Sequence, residues 1–293
     1  MSSFDLGLVL ASALLHAVWS AAIKGSRDPL RFSAMQQVTS IAGVAALALG
    51  CDLREVPAPV WKILAATGVA HALYLYWMGR AYERGELTVV YPIVRSTPAL
   101  LPFLAVAWLG EHVSAGGALG IAITLLGVWL VHTQGELRWS AFVTPGAGFA
   151  YLSLLATVGY SLFDKRAMAL LEPAPWTGPL PRSIVYFFLI AIAHAVLFLP
   201  LALRRIPRTT WRTLRAGEWA MACLATLLSL ASYGLILEAY RRAPASYVVA
   251  VRQVSVLFAV AIAAFWLRER PSRPRILGAA ATVAGVALIA LFP

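Results

Sequence analysis

Long apolar runs alternate with short polar connections along the whole sequence. A transmembrane helix needs about 20 mostly apolar residues, and ten segments meet that requirement. The first five lie at 6–24, 32–50, 60–81, 87–110 and 115–133, and the second five at 144–164, 182–203, 219–240, 245–267 and 275–292. The pattern therefore predicts an all-α integral membrane protein with ten transmembrane helices.

The sequence repeats itself in its second half. AYERGELTVVYPIVR, which begins at Ala81, resembles AYRRAPASYVVAVRQ, which begins 158 residues later at Ala239. The same offset pairs further residues: Leu109 and Glu111 with Leu267 and Glu269, Leu119 and Gly120 with Leu277 and Gly278, and Gly127 and Val128 with Gly285 and Val286. A single offset over such a length predicts two related halves.

The start of each half is also repeated, with a different offset. WSAAIKGS around Trp19 resembles YSLFDKRA around Tyr160, at an offset of 141 residues. We predict one five-helix repeat over 1–138 and a second over 139–293. Since five is odd, the repeats are expected to have opposite orientations, as in many secondary transporters that bind solute at the repeat interface near the membrane midplane.

The repeats, the ten predicted spans, the small extramembrane mass and the Glu that ends the fourth and ninth spans resemble the drug/metabolite transporter superfamily, specifically its EamA-type members. That resemblance covers nearly the whole chain. It implies two five-helix domains and transport of a small solute, and leaves open amino acids, sugars, nucleotide sugars, phosphorylated metabolites and cations.

Composition changes the meaning of the strong positive charge. The chain is 60% hydrophobic and 13% charged, with a mean hydropathy of +0.77 and a formal net charge of +11. The Lys and Arg side chains sit mainly in connections, so they are interpreted as membrane-orienting charges and not as a nucleic-acid surface. When the 22 Lys and Arg other than Arg95 and Arg252 are assigned to the nearest connection, 15 fall in odd-numbered connections and seven in even-numbered ones. The charge rule then puts both termini outside the cytoplasm, whereas the resemblance implies cytoplasmic termini.

Two arginines are predicted inside the membrane. Arg95 lies in the fourth span and Arg252 in the ninth. An intramembrane charge is expensive and marks a functional site by default, and a guanidinium suits carboxylate or phosphate. Thr97 and Gln253 add neutral hydrogen-bonding groups nearby. Plastid phosphate translocators, which resemble this chain only at superfamily level, hold phosphate with basic residues in the corresponding helices. Gln253 replaces one of them here, which favours a carboxylate or a zwitterion.

Other polar and aromatic residues are predicted near the middle of their spans. A histidine can relay a proton near neutral pH, and proton or exchange coupling is assigned to His16 or His71. The remaining candidates for the cavity wall, chosen by one-turn spacing or by repeat position, are Trp19, Tyr74, Ser229 and Tyr233. Packing is the alternative role for each of them. His194 also falls at mid-span and is interpreted as a packing residue.

No acidic residue is predicted at mid-span, and Asp164 is placed at a helix end. Two buried arginines without a buried acid argue against cationic substrates. Pro92, Pro98 and Pro102 interrupt the fourth span alone, which predicts a bent helix that gates the cavity. Small residues at Gly116 and Gly120, and again at Ala281 and Gly285, predict close helix packing within the bundle or in a homodimer.

The sequence thus predicts a secondary transporter or exporter of a small anionic or zwitterionic metabolite that works by alternating access. A flippase for a lipid-linked sugar and, less favoured, an intramembrane transferase are the alternatives. No enzyme activity, metal or cofactor is predicted, and the absence of a GxxxxGK stretch argues against ATP. The predicted partners are the solute and the lipid bilayer, and the predicted location is a cell membrane, specifically the bacterial inner membrane.

Overall fold

The computed structural model describes residues 1–24, 29–42, 52–85, 87–134, 136, 142–207, 211, 214–258, 261 and 272–292. These residues are almost entirely helical. The helices are α1 (Ser3–Lys24), α2 (Pro29–Ala42), α3 (Ala58–Arg84), α4 (Leu87–Val94), α5 (Thr97–Leu109), α6 (Ala115–Thr133), α7 (Pro145–Leu171), α8 (Arg182–Arg205), α9 (Ala216–Arg242), α10 (Ala245–Val251) and α11 (Arg273–Leu291). Short 3₁₀ helices cover Leu53–Glu55 and Arg252–Val254.

The chain is a multi-pass membrane protein. Within the described residues, six helices are long and apolar enough to cross a membrane, namely Val89–Leu109, Ala115–Thr133, Pro145–Leu171, Arg182–Arg205, Ala216–Arg242 and Arg273–Leu291. Ser3–Trp19 and Ala245–Phe258 are shorter apolar helices. The ends of the predicted second and ninth spans, 43–50 and 259–267, lie largely outside the described residues, so ten spans stays a prediction.

The last helices of the two halves, α6 and α11, pack closely against each other at their glycine residues. A Cβ on Gly120 would lie 2.7 Å from the carbonyl oxygen of Gly285, and a Cβ on Gly127 would lie 2.6 Å from that of Gly278. Later residues of α6 thus meet earlier residues of α11, so the two helices are antiparallel. Thr124 and Thr282, which the repeat offset pairs, are both fully buried at this crossing. The glycines therefore pack within the chain, and the two repeats meet there symmetrically.

Other pairings cross between the halves in the same symmetric way. Helix α1 packs antiparallel on α9, where Ser232 Oγ donates to the carbonyl oxygen of Ser12 at 3.0 Å. Helix α3 packs antiparallel on α7, where Ser153 Oγ donates to the carbonyl oxygen of Tyr74 at 3.4 Å. Ser12 and Ser153 are repeat equivalents, as are Tyr74 and Ser232. Each half thus contributes one helix to every such pair.

The fourth span is broken between α4 and α5, as its prolines predict. Pro98 has no N–H to donate to Val94, and Ser96 Oγ instead donates to the carbonyl oxygen of Pro92 at 2.7 Å. The ninth span has no proline at the equivalent positions, as expected, yet its helix is also irregular there. At the repeat-equivalent place, Arg252–Val254 forms a 3₁₀ helix without any proline. Both interruptions face the centre of the bundle and carry the two predicted arginines.

Candidate functional site

One cavity of about 880 Å³ lies between the two halves. It is within the range of small-molecule sites, roughly 300–1,000 Å³. All ten residues proposed from the sequence line it, namely His16, Trp19, His71, Tyr74, Arg95, Thr97, Ser229, Tyr233, Arg252 and Gln253. Intramembrane polar side chains avoid lipid by facing the bundle interior or a water-filled cavity, which favours their convergence here.

Arg95 sits at the break between α4 and α5. Its Nη2 lies 3.0 Å from Nε2 of His16 on α1, and its guanidinium lies 5.2 Å from the ring centre of Tyr91. Because a guanidinium can only donate, His16 Nε2 must accept and carries no proton. The His16 ring in turn packs against Trp19 at 5.1 Å. Arg95 is thereby oriented toward the cavity by a neutral partner, and no carboxylate of the described residues lies within 4 Å of it.

Arg252 occupies the equivalent place in the other half, in the 3₁₀ turn within Ala245–Phe258. Its guanidinium lies 5.4 Å from the ring centre of Tyr233. Within the described part of the chain it has no hydrogen bond or ion pair, and its Nε is buried without a partner. The adjacent Gln253 donates to the carbonyl oxygen of Val249 at 3.2 Å, while its Oε1 is also buried without a partner. This corner of the cavity therefore has a positive charge that the described side chains do not neutralise.

Aromatic rings line the wall beside Arg252. His71 stacks on Tyr160 with ring centres 3.9 Å apart, and Tyr74 meets the same Tyr160 ring edge-on at 5.7 Å. His71 Nδ1 lies 3.0 Å from the carbonyl oxygen of Thr67, which can only accept, so Nδ1 carries the ring proton and Nε2 is left as an acceptor. His194, interpreted above as packing, also lines the cavity, 5.9 Å from His71.

The placement of Asp164 at a helix end is wrong. Helix α7 continues to Leu171, and Asp164 is fully buried. It accepts hydrogen bonds from Thr67 Oγ1 at 2.7 Å, from Tyr186 Oη at 3.0 Å and from the Tyr233 hydroxyl. It does not itself line the cavity, because Tyr233 stands between them. The chain thus holds a buried acid after all, but one already bound by three hydroxyl groups.

The cavity opens at one end of the bundle, where the C-terminal ends of α3 and α8 lie. Its outer wall includes Arg80, Glu83, Arg204 and Arg205. Glu83 pairs with Arg80 at 2.8 Å and lies 3.9 Å from Arg205. With Arg95 and Arg252 deeper inside, the lining contains five arginines and one glutamate, so its formal charge is net positive.

The opposite end is sealed. Tyr240, Ala243, Ala245 and Tyr247 are at most 1% exposed there. Glu111, from the first half, accepts from the backbone N–H groups of Ala245 and Ser246, the latter at 3.1 Å, and from Ser246 Oγ at 2.7 Å. It therefore satisfies the free N–H groups at the start of α10.

Further links close this end. Lys165 Nζ donates to the carbonyl oxygens of Tyr240 at 2.6 Å and Ala243 at 2.9 Å. Arg242 Nε donates to Asp5 Oδ1 at 2.9 Å. The links of Glu111 and Asp5 join the two halves, so movement of one half against the other would have to break them.

Sequence reasoning missed four residues that shape the site. Tyr160 forms the aromatic wall, while Thr67, Asp164 and Tyr186 form the network behind Tyr233. Tyr160 could have been found, since it is the repeat equivalent of Trp19. The other three come from helices far apart in sequence, and no periodicity indicates their meeting. Among the described residues, no group of three or more His, Cys, Asp or Glu could hold a metal ion.

Comparison with known proteins gives matches over nearly the whole chain. The model of the EamA-like transporter family matches residues 4–133 and again 144–291. No curated protein matches the sequence. Among solved structures, 29 chains match. One, described as "Crystal structure of protein", is 18% identical in sequence, aligns with a TM-score of 0.75 and covers 99% of each chain. At that identity the likeness concerns the fold alone.

Proposed function

Because the chain belongs to the EamA-like transporter family, we propose that it carries a small anionic or zwitterionic metabolite across the membrane by alternating access. The observation that carries this proposal is the position of Arg95 at the break between α4 and α5 and of Arg252 at the equivalent 3₁₀ turn, both lining one cavity without a carboxylate partner among the described residues. Broken helices that meet at a repeat interface are typical substrate sites in secondary transporters.

The charges of the cavity lining support the proposed substrate class. A carboxylate bound to Arg252 would receive the hydrogen bonds that its guanidinium lacks, in the bidentate geometry that suits this pair. A cation would face five lining arginines, and Asp164 is separated from it by Tyr233. The aromatic wall of His71, Tyr74 and Tyr160 offers a surface for the rest of the molecule or for an ammonium group. We therefore favour carboxylates and amino acids over cations.

The two ends of the cavity suggest one state of the cycle. The open end lies beside the third and seventh connections, on the side with the larger share of Lys and Arg in the sequence. By the positive-inside rule that side is the cytoplasm, and this structure would then be the state open to the cytoplasm. A reporter fused to either terminus tests this, because activity on the cytoplasmic side would reverse the assignment.

The test is solute exchange in proteoliposomes. A labelled panel would contain neutral and acidic amino acids, small carboxylates, sugar phosphates and quaternary amines, with wild type compared to Arg252→Gln. Loss of a charged hydrogen-bond donor removes about 1.5–3 kcal/mol, so exchange efficiency of the accepted solute should fall by roughly ten- to more than a hundredfold. Arg54→Gln, at an exposed arginine near the sealed end, is the control and should leave exchange unchanged.

Three results would contradict the proposal. Exchange of quaternary amines alone would show that the arginines do not select the solute. Equal exchange by Arg252→Gln and wild type would make Arg252 a packing residue. Faster flipping of a labelled lipid without exchange of any soluble compound would indicate a flippase on the same fold.

A further inference from the structure

Asp164 is a buried carboxylate with hydroxyl partners and no cation. It lies on α7 and is 0% exposed. Its donors come from three other helices: Thr67 on α3, Tyr186 on α8 and Tyr233 on α9. Within the described residues, no Lys, Arg or His nitrogen lies within 4 Å of its oxygens. A structural ion pair therefore does not account for this carboxylate.

The charged and titratable groups around Asp164 leave its carboxylate to the hydroxyls. Its neighbour in sequence, Lys165, turns away and binds two backbone carbonyl oxygens. His71 reaches it only through Thr67, at 3.3 Å from Thr67 Oγ1. Tyr160 lies one turn earlier on α7. Tyr240 on α9 is fully buried, and Arg252 reaches this region only over the ring of Tyr233.

The three hydroxyl groups suit both protonation states of Asp164. An ionised carboxylate accepts from all three. A protonated carboxylic acid must instead donate one hydrogen bond, and a hydroxyl can accept it by rotating, since each hydroxyl has one proton and two lone pairs. Asp164 can therefore change its protonation state while the surrounding side chains stay in place and only their O–H bonds rotate. Intramembrane acids of this kind mark proton pathways in transporters.

Tyr233 is the one donor of the three that also lines the cavity. Its hydroxyl binds Asp164 while its ring face carries the Arg252 guanidinium. When Asp164 is protonated, Tyr233 no longer needs to donate to it, and its O–H is free to donate to a solute beside Arg252. The occupant of the cavity and the proton on Asp164 are thereby linked through a single hydroxyl group.

We propose that Asp164 is the proton-binding site of the carrier and that Tyr233 couples its protonation to solute binding at Arg252. The solute-binding part of this proposal rests on the proposed function, whereas the proton-binding part does not. The proton reaches Asp164 through Tyr233, whose hydroxyl gives its own proton to the carboxylate as it takes one from a hydronium ion in the cavity, which is left as water. This assigns proton coupling to Asp164 in place of both histidines expected from the sequence, His71 and His16, the latter with its Nε2 occupied by Arg95.

The first test measures the proton without any solute. The infrared difference spectrum of purified protein between mildly acidic and mildly alkaline pH should contain a carboxylic-acid carbonyl band. Asp164→Asn should abolish that band, and Tyr233→Phe should shift it, because it removes a hydrogen bond to the same group. Glu172→Gln, an exposed acid at the end of the same helix, should leave the band unchanged. If Asp164→Asn does not fold, the shift in Tyr233→Phe decides.

The second test separates coupling from binding, with the panel solute that wild type exchanges fastest as the probe. Asp164→Asn should still exchange labelled for unlabelled solute but should lose accumulation driven by a pH gradient. An unchanged infrared band in Asp164→Asn and Tyr233→Phe, unchanged gradient-driven accumulation, or accumulation driven by sodium instead would overturn the inference. If wild type exchanges no anion or zwitterion, the proposed function is refuted. The infrared spectra would still decide independently whether Asp164 binds a proton.

Discussion

Removing the charge of Glu111 should loosen the sealed end of the cavity. Glu111 accepts from two backbone N–H groups and from Ser246 Oγ at the start of α10. Glutamine keeps one acceptor oxygen but loses the charge and one accepting position. A hydrogen bond to a charged group contributes about 1.5–3 kcal/mol, so Glu111→Gln should weaken the seal by roughly 2 kcal/mol. That energy corresponds to about a 30-fold larger population of the opened end.

A cysteine at Ala243 reports on this opening, because the residue is 1% exposed in the sealed end. With Cys51 and Cys223 replaced by serine, the rate at which a water-soluble reagent labels Ala243→Cys should rise up to about 30-fold when Glu111→Gln is added. Glu218→Gln is the matched control, since Glu218 caps the start of α9 at the other end of the bundle. Unchanged labelling in Glu111→Gln, or an equal rise in Glu218→Gln, would show that Glu111 does not hold the seal.

Two further predictions concern the helix crossing and the cavity mouth. Gly285→Leu should lower the thermal stability in detergent by an equivalent of a few kcal/mol, because a Cβ there lies 2.6 Å from a backbone oxygen of α6; Gly148→Leu, where a Cβ meets nothing within 4 Å, should not. The double variant Arg204→Gln, Arg205→Gln should raise the KM for an anionic solute at low salt and lose that effect at high salt, whereas Arg54→Gln should be neutral. Equal destabilisation by both glycine variants, or a salt-independent KM, would contradict these predictions.

The sequence predicted the convergence of the site better than the shape of the helices. Ten polar or aromatic residues from separate spans line one cavity, because burial in a membrane leaves an intramembrane polar group few other places to lie. The binding roles of these residues stay predictions. The repeat offset likewise identified the glycines that meet between α6 and α11, since two repeats that pack on each other must do so through equivalent positions.

Asp164 and the interruption at Arg252 could not be predicted in the same way. The charged run Asp164, Lys165 and Arg166 is typical of a helix end, yet α7 extends to Leu171. Lys165 satisfies its charge with carbonyl oxygens of the neighbouring chain segment while Asp164, about 100° around the helix, points into the bundle. The 3₁₀ helix at Arg252 has no proline or glycine to indicate it.

The residues of the proposed site and the residues that seal the cavity are distributed differently over the two repeats. The groups proposed to bind solute or a proton are unequal: the repeat equivalent of His71 is Ser229, and the equivalent of Asp164 is Ile23. In the proposed alternating access one site serves both faces of the membrane, so its residues need no counterparts in the other half. A seal, by contrast, is needed at each end in turn. Glu111 and Lys165 hold the end that is closed here, and the sequence repeats both, as Glu269 and Lys24. Under the proposed alternating access, we therefore expect the repeated residues to serve the exchange between states and the unrepeated ones to serve recognition.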